Sequence, residues 1–320
     1  MIAARPALFD KWPARADLPS ALRQLAPCNS PRGGLRDRHV KQTHRTASMF
    51  DNILTDDYTP PKTCTVERVT AVKHWTDTLF SFRITRPAAF RFRAGEFIMI
   101  GLMIGGKPVL RAYSICSPTW DEELEFYSIK APDGKLTTEL QHIKVGDGVL
   151  LGRKPTGTLV HDALVPGEHL YLFSTGTGLA PFASIIREPE TYDKFKEVIL
   201  THTCRTGAEL EYGKQLVADI RDDPLVGELV GDRLIHFTST TRDETQDQRG
   251  RITDLIHNGE LASVIGRPGL DPATDRVMIC GSDAMLRDLK QIMLDKNFTE
   301  GSNAAPAQFV IEKAFAGEGV

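Results

Sequence analysis

From residue 65 onward, apolar positions fall into short runs alternating with polar ones. TVERVTAVKHW, TLFSFRITR, EFIMIGLM, RAYSICS, LEFYSIK and GVLLGR are rich in β-branched and aromatic residues. Gly and Pro punctuate them at 95, 105–106, 118, 132–134 and 146–148. Short strands at this spacing predict a barrel or sandwich over about 65–160. After the turn PDG, the spacing predicts one helix over LTTELQHI, residues 136–143. From 168 the pattern changes. HLYLFS, EVILTHT, LIHFTST, RVMICG and AQFVIEKAF are strand-like runs, and helical stretches follow the first four: APFASIIRE, AELEYGKQLVADI, ITDLIHNGEL and SDAMLRDLKQIMLDKNF. Strands alternating with helices predict a parallel α/β domain, with the change-over near 157–168.

Composition narrows the classes. The chain has 320 residues, 41% of them hydrophobic, which is enough for one large or two ordinary domains. No stretch approaches the roughly 20 apolar residues of a membrane span, so no stable membrane insertion is expected. The five cysteines, Cys28, Cys64, Cys116, Cys204 and Cys280, are scattered. A disulfide framework, a zinc site or another metal site, and an iron–sulfur cluster are therefore unsupported, and a reducing cytoplasm fits best. Residues 1–48 carry nine Lys or Arg against three Asp, leaving 30 basic and 39 acidic residues in 49–320, a body of about −9. That balance argues against a nucleic-acid partner. The basic, acid-poor start reads either as an organelle transit peptide or as a tail upstream of a true start at Met49. Residues 1–60 are expected to be a disordered extension.

Several motifs sit where chemistry is placed in such folds. TGTGLAP (175–181) ends a buried strand and opens a helix. Its small residues leave backbone N–H groups open to an anion, although a tight βα turn alone would look the same. Arg205, Arg242 and Arg251 each fall at a strand end or helix start, where an open α/β sheet binds ligands. One such Arg is an ordinary surface charge; three at equivalent positions point to a phosphate. Cys280 in CGS (280–282) is either a small core residue or a neighbour of the crevice. Arg111, Tyr113 and Ser114 crowd polar tips onto both faces of one strand. An edge strand accounts for this, and so does one wall of a site for a flat ligand, with PDGKLT supplying a second anion-facing turn.

Together, RAYS, then YSIK with PDGKLT, then STGTGLAP, then CGS resemble the ferredoxin–NADP reductase superfamily. FVIEKAFAGEG and HWTDTLFSFRITRP are similar to its bacterial type. The resemblance covers about 65–320. It implies two domains, an antiparallel six-stranded FAD-binding β-barrel over 61–162 and an NADP(H)-binding α/β domain with a parallel sheet over 163–320, the C-terminal tail lying over the flavin. By the same resemblance Arg111 would contact the FAD pyrophosphate, with Ala112 beside it. Tyr113 would stack on the flavin ring and Ser114 would hydrogen-bond near its N5. Tyr127, Ser128, Ile129 and Lys130 would line the adenosine and ribityl side, and Gly134, Leu136 and Thr137 would support the pyrophosphate. Thr175, Gly176, Thr177 and Gly178 would face NADP(H), and Arg205, Arg242 and Arg251 would hold its 2′-phosphate. Cys280 would sit near the hydride path, placing it with Tyr113 and Ser114 among the catalytic residues. Ala314 and Phe315 would cover the flavin or the adenine. The implied activity couples NADPH to ferredoxin or flavodoxin. An NADPH-dependent flavin reductase or an oxygenase reductase component is the alternative. Arg91, Arg93, Lys107 and Arg153 are the candidate basic patch for an acidic carrier.

Overall fold

The computed structural model describes residues 60–313 except 225. The N-terminal extension, Ala314 and Phe315 lie outside the described residues. The first six strands are β1 (Cys64–His74), β2 (Leu79–Thr85), β3 (Phe97–Ile104), β4 (Lys107–Ser114), β5 (Glu123–Ile129) and β6 (Gly148–Gly152). They pair antiparallel in the order β4-β3-β6-β1-β2-β5. The sheet curls, with a register shift in β1 between Val69 and Ala71 where a bulge sharpens the bend. Alternation explains its inside. Phe80, Phe82 and Ile84 of β2 and Leu124 and Phe126 of β5 face one core with Ile98, Ile100 and Leu151. Each such aromatic removed from water contributes about 1.5–3 kcal/mol.

β4 and β5 are the two ends of the sheet. Beyond β4 the chain crosses to β5: the Cys116 N–H donates to the Glu125 carbonyl at 2.8 Å, and the Glu125 N–H donates to Ser117 Oγ at 3.1 Å. Higher up, Tyr113 Oη lies 3.1 Å from Ser128 Oγ across the seam. The predicted helix after PDG is shorter than expected, α1 (Thr137–Leu140). Its continuation turns instead, as the Lys144 N–H donates to the Asp147 carboxylate at 2.6 Å.

The second sheet has β7 (His169–Thr175), β8 (Glu197–Cys204), β9 (Leu234–Thr240), β10 (Asp275–Gly281) and β11 (Phe309–Lys313). All are parallel, in the order β11-β10-β7-β8-β9. Helices α2 (Ala180–Ile185), α3 (Pro189–Lys194), α4 (Glu211–Asp222) and α5 (Gly227–Val230) follow β7 and β8; α6 (Ile252–His257), α7 (Glu260–Val264) and α8 (Asp283–Asp295) follow β9 and β10. Both faces are covered, so the strands read as continuous apolar runs. Leu170 and Leu172 of β7 face a core with Phe182 and Leu216, while Tyr171 and Phe173 face another with Leu255 and Leu289. The single helix expected over ITDLIHNGEL is broken at Gly259, whose φ of 77° is left-handed. α3 and α5 were not foreseen; they are short and carry little helical periodicity.

One core crosses between the two sheets. Leu79, Cys116, Tyr127 and Leu159 pack with Phe182, Tyr212 and Leu172. Tyr127 and Tyr212 stack at 4.2 Å, and Trp75 meets Tyr212 edge-on at 5.3 Å. Arg187 of the α2–α3 link pairs with Glu125 of β5 at 3.3 Å. This seam sets the ends of the parallel strands against the β1–β2 turn.

Candidate functional site

On the barrel, Arg111, Ala112, Tyr113 and Ser114 are all half-buried, as an edge strand with an open outer side allows. Arg111 Nη1 donates to the Leu110 carbonyl at 2.9 Å, which aligns the guanidinium along the strand. The Tyr113 ring meets Phe126 at 90° and 6.4 Å. Burial, partly offset by Ser128, pushes its phenol above the usual range, so it stays neutral. Ser128 is thereby a partner of Tyr113, two strands brought together that lie 15 residues apart.

The PDGKLT turn is built from within. Thr137 Oγ1 donates to the Ala131 carbonyl at 3.0 Å and Thr138 Oγ1 to the Gly134 carbonyl at 2.8 Å. A Cβ at Gly134 would lie 2.2 Å from Thr137 Oγ1, so a larger residue there would displace that hydroxyl from the cradle. Leu136 is buried in the barrel core and pins the turn. Lys130 Nζ donates to the Thr76 carbonyl at 3.1 Å, tying the end of β5 to the β1–β2 turn.

Tyr127 requires a correction. β5 alternates, so Phe126 and Ser128 face the barrel seam while Tyr127 faces the opposite way, against Tyr212, at 3% exposure. Its ring belongs to the contact between the sheets rather than to an open ligand wall.

On the α/β side, the C-terminal ends of the parallel strands surround a cleft of about 540 Å³. Thr175–Thr177, Arg205, Arg251 and Gly281–Ser282 line it, joined by Thr203, Cys204, Thr241, Thr253 and Met285. Thr78, Leu79 and Ile129 reach in from the barrel. β7 and β10 are the point where strand order reverses, and ligands bind at that position in such sheets. Their two turns touch: the Ser282 N–H donates to Thr175 Oγ1 at 3.1 Å, and a Cβ at Gly178 would lie 2.2 Å from the Cys280 carbonyl oxygen. Gly178 is thus a buried packing residue; the three residues before it face the cleft.

Arg205 and Arg242 come together because the loops after β8 and β9 are stitched. The Arg242 N–H donates to the Arg205 carbonyl at 2.9 Å, and the Gly207 N–H to Asp243 Oδ2 at 2.9 Å. Arg251 is the residue just before α6. All three are exposed, and among the described residues none has an ion-pair partner. Arg205 and Arg251 line the cleft, whereas Arg242 lies just outside it.

Cys280 sits inside β10 with no exposure and packs with Leu172, Leu179 and Met278. Burial, and then Glu312 beside it, push the thiol well above its usual range, so it is a neutral core residue that does not line the cleft. Cys204 does line the cleft, yet burial and then Glu209 push its thiol up to about 12. Neither is a thiolate nucleophile.

Glu312 escaped the sequence reading. It is half-buried on β11 opposite Cys280 and accepts from the Thr158 N–H at 2.9 Å. Burial pushes its carboxyl up to about 7 despite that bond. Its signal in the sequence is only one acid in an apolar strand. Thr78 and Thr203 were equally hidden, because nothing local says which turn meets which strand end. The proposed basic patch is also weaker than expected. Arg93 is paired with Glu96 and Asp162, while Lys107 is exposed at a hairpin and Arg153 donates to the Lys62 carbonyl.

Among the described residues no helix is long and apolar enough to cross a membrane, and no group of His, Cys, Asp and Glu is placed to hold a metal ion.

Residues 63–161 match the model of the oxidoreductase FAD-binding domain, and 172–291 that of the oxidoreductase NAD-binding domain. A flavodoxin/ferredoxin–NADP reductase of Rhodobacter capsulatus is 57% identical over 255 residues, 79% of this chain and 94% of that protein. A ferredoxin–NADP reductase of Pseudomonas aeruginosa is 48% identical, covering 78% and 96%. The crystal structure of a ferredoxin NADP+ reductase from Neisseria gonorrhoeae with bound FAD and NADP superposes with a TM-score of 0.72 at 30% identity, over 80% of this chain and all of that one. The residues here fit two dinucleotides: a tight turn at Gly134 beside a polar edge strand on the barrel, and Arg205 and Arg251 lining a cleft at the sheet's reversal point with Arg242 just outside it. The chain therefore belongs to the ferredoxin–NADP reductase family and is an FAD- and NADP(H)-binding oxidoreductase.

Proposed function

We propose that this oxidoreductase works in the cytoplasm and exchanges electrons between NADPH and a ferredoxin or flavodoxin through FAD. One observation carries the coupling of the two sites. Thr78, Leu79 and Ile129 of the barrel line the same cleft as Thr175–Thr177 and Ser282 of the α/β domain. When bound, FAD supplies the exchange of an electron pair with a nicotinamide and of single electrons with a carrier. The protein's part is placement.

In this reading Arg111 and the Gly134 turn hold the flavin pyrophosphate, and Tyr113, kept neutral by burial, packs beside the ring with its hydroxyl directed to Ser128. Ser114, Ser128 and Ile129 of β5, and Lys130 just past it complete that wall. Thr175, Gly176 and Thr177 face the nicotinamide half, while Arg205 and Arg251, with Arg242 behind them, meet the 2′-phosphate. Glu312, with a carboxyl titrating near neutrality, can hold or release a proton while its Oε2 accepts from the Thr158 N–H. Cys280 acts through packing. Lys107, Arg91 and Arg153 remain as carrier-facing charges without a carboxylate partner among the described residues.

The test is reduction of purified, FAD-loaded protein by NADPH, followed by reduction of ferredoxin and flavodoxin. Bleaching of the flavin and turnover of a carrier are expected. Absence of bleaching overturns the reading. In the same assay Arg251→Ala should raise KM for NADPH about ten- to a hundredfold and leave NADH little changed. An unchanged ratio removes the 2′-phosphate assignment.

A further inference from the structure

His202 lies on β8, beside Ser174 at the end of β7, with no solvent exposure. Its Nε2 is 3.1 Å from the Gly176 carbonyl oxygen. We propose that His202 is a positioning residue that sets the peptide plane after Gly176, so that the nicotinamide cleft meets the Thr177 N–H and not a carbonyl oxygen.

The tautomer follows from the contacts. A proton on Nε2 is donated to Gly176, and leaves only a lone pair without a partner at the buried Nδ1. A proton on Nδ1 would orphan a buried donor and set the Nε2 lone pair against the carbonyl. The first arrangement is cheaper, since an unmet N–H costs more than an unmet ring lone pair. Cys204 Sγ, 3.2 Å from the same Nε2, is a weak second acceptor and does not compete. Burial holds the imidazole down to about 4, so the ring stays neutral at working pH.

The ring cannot drift. α4 closes over it at Gly213, where even a Cβ would come within 2.9 Å of Nδ1. Gly176 opens a short 3-10 turn, Gly176–Leu179, but has no side chain to lock its own peptide. Its φ is 53°, and no atom lies within 4 Å of where its Cβ would be. A glycine of this kind adds no side-chain packing to hold its peptide, and the histidine joins the turn in fixing it. The bond is trans, so a carbonyl turned to His202 turns the following N–H the opposite way. Thr177 lines the cleft, and its N–H is thus offered to a ligand's oxygen. The rotated plane would place a carbonyl there and repel the same oxygen.

The proposal rests on reading the cleft as the NADP(H) site, and the test separates the two. Calorimetric titration of FAD-loaded protein with NADP+ and with 2′,5′-ADP, which lacks the nicotinamide half, is carried out on wild type, His202→Leu, His202→Asn and His202→Gln. The Leu and Asn variants should weaken NADP+ about tenfold, the scale of one hydrogen bond. Both should bind 2′,5′-ADP within about twofold of wild type. Gln, which keeps a donor at similar reach, should recover most of the NADP+ affinity. Asn, polar but too short, stands in should Leu fail to fold. Equal weakening of both ligands would assign His202 a purely structural role and overturn the proposal. So would unchanged NADP+ binding, or failure of Gln to rescue. Wild-type protein that bound neither ligand would remove the cleft assignment itself, and the proposal with it.

Discussion

The two halves of the site are built on opposite plans. The barrel offers its ligand side chains from an edge strand: Arg111, Tyr113 and Ser114 stand half-buried at the end of the sheet, with Tyr113 packed against its aromatic core. The α/β domain offers backbone. Its turns after β7 and β10 approach so closely that Gly178 and Gly281 have no room for a Cβ. The difference follows from the sheets. An antiparallel edge has an open flank where side chains alternate, whereas parallel strands covered on both faces expose only their ends. Single substitutions should therefore be graded on the barrel side and abrupt on the α/β side.

The largest break in this contrast is expected from Gly178→Ala. The new methyl would meet the Cys280 carbonyl at 2.2 Å, and the two turns would have to part. A loss of about 3 kcal/mol in urea unfolding is expected, together with weak NADP+ binding. A variant as stable as wild type would show that these turns are not held by close approach.

Next in size is a pH effect at Glu312, which joins the two halves through Thr158. Its folded pKa, about 7, is raised above the ordinary value of 4.5. The folded state therefore holds the proton more tightly, and stability is highest below about 4.5 and falls as pH rises to about 7. Half-buried, the group should contribute a fall of about 1–2 kcal/mol across that window, and Glu312→Gln should remove it from pH-dependent unfolding curves. An unchanged slope would place the titration elsewhere.

The smallest effects sharpen the barrel side. Tyr113→Phe removes the hydroxyl bridging β4 to Ser128 and should cost about 1 kcal/mol, with faster loss of FAD on dilution. Tyr127→Phe removes a buried hydroxyl without a hydrogen-bond partner among the described residues and should be neutral or slightly stabilising, with FAD retained. If Tyr127→Phe released FAD more than Tyr113→Phe, the assignment of Tyr127 to the seam between the sheets would be wrong.

Much of the site was legible in local pattern. Alternation in TLFSFRITR and LEFYSIK marks the barrel strands, and TGTG after a wholly apolar run marks a parallel strand end. The same alternation, followed one residue further, would have turned Tyr127 away from Ser128; the motif YSIK hides this by placing them side by side. Cys280 misled for a related reason. Its neighbours Gly281 and Ser282 do open the turn, but the strand still runs through position 280 and buries the thiol.

By itself the sequence determined the two classes of sheet, the change-over between them, and the residue types able to meet phosphates. These depend on periodicity and turn chemistry, which act over a few residues. Only the tertiary structure decided that the β1–β2 turn reaches the cleft, that Arg205 and Arg242 share a stitched pair of loops, and that His202 holds the Gly176 carbonyl. Those contacts join residues brought near by strand order and by the packing of one sheet on the other. No local spacing encodes such distances, because burial and hydrogen bonding are satisfied across the fold and not along the chain.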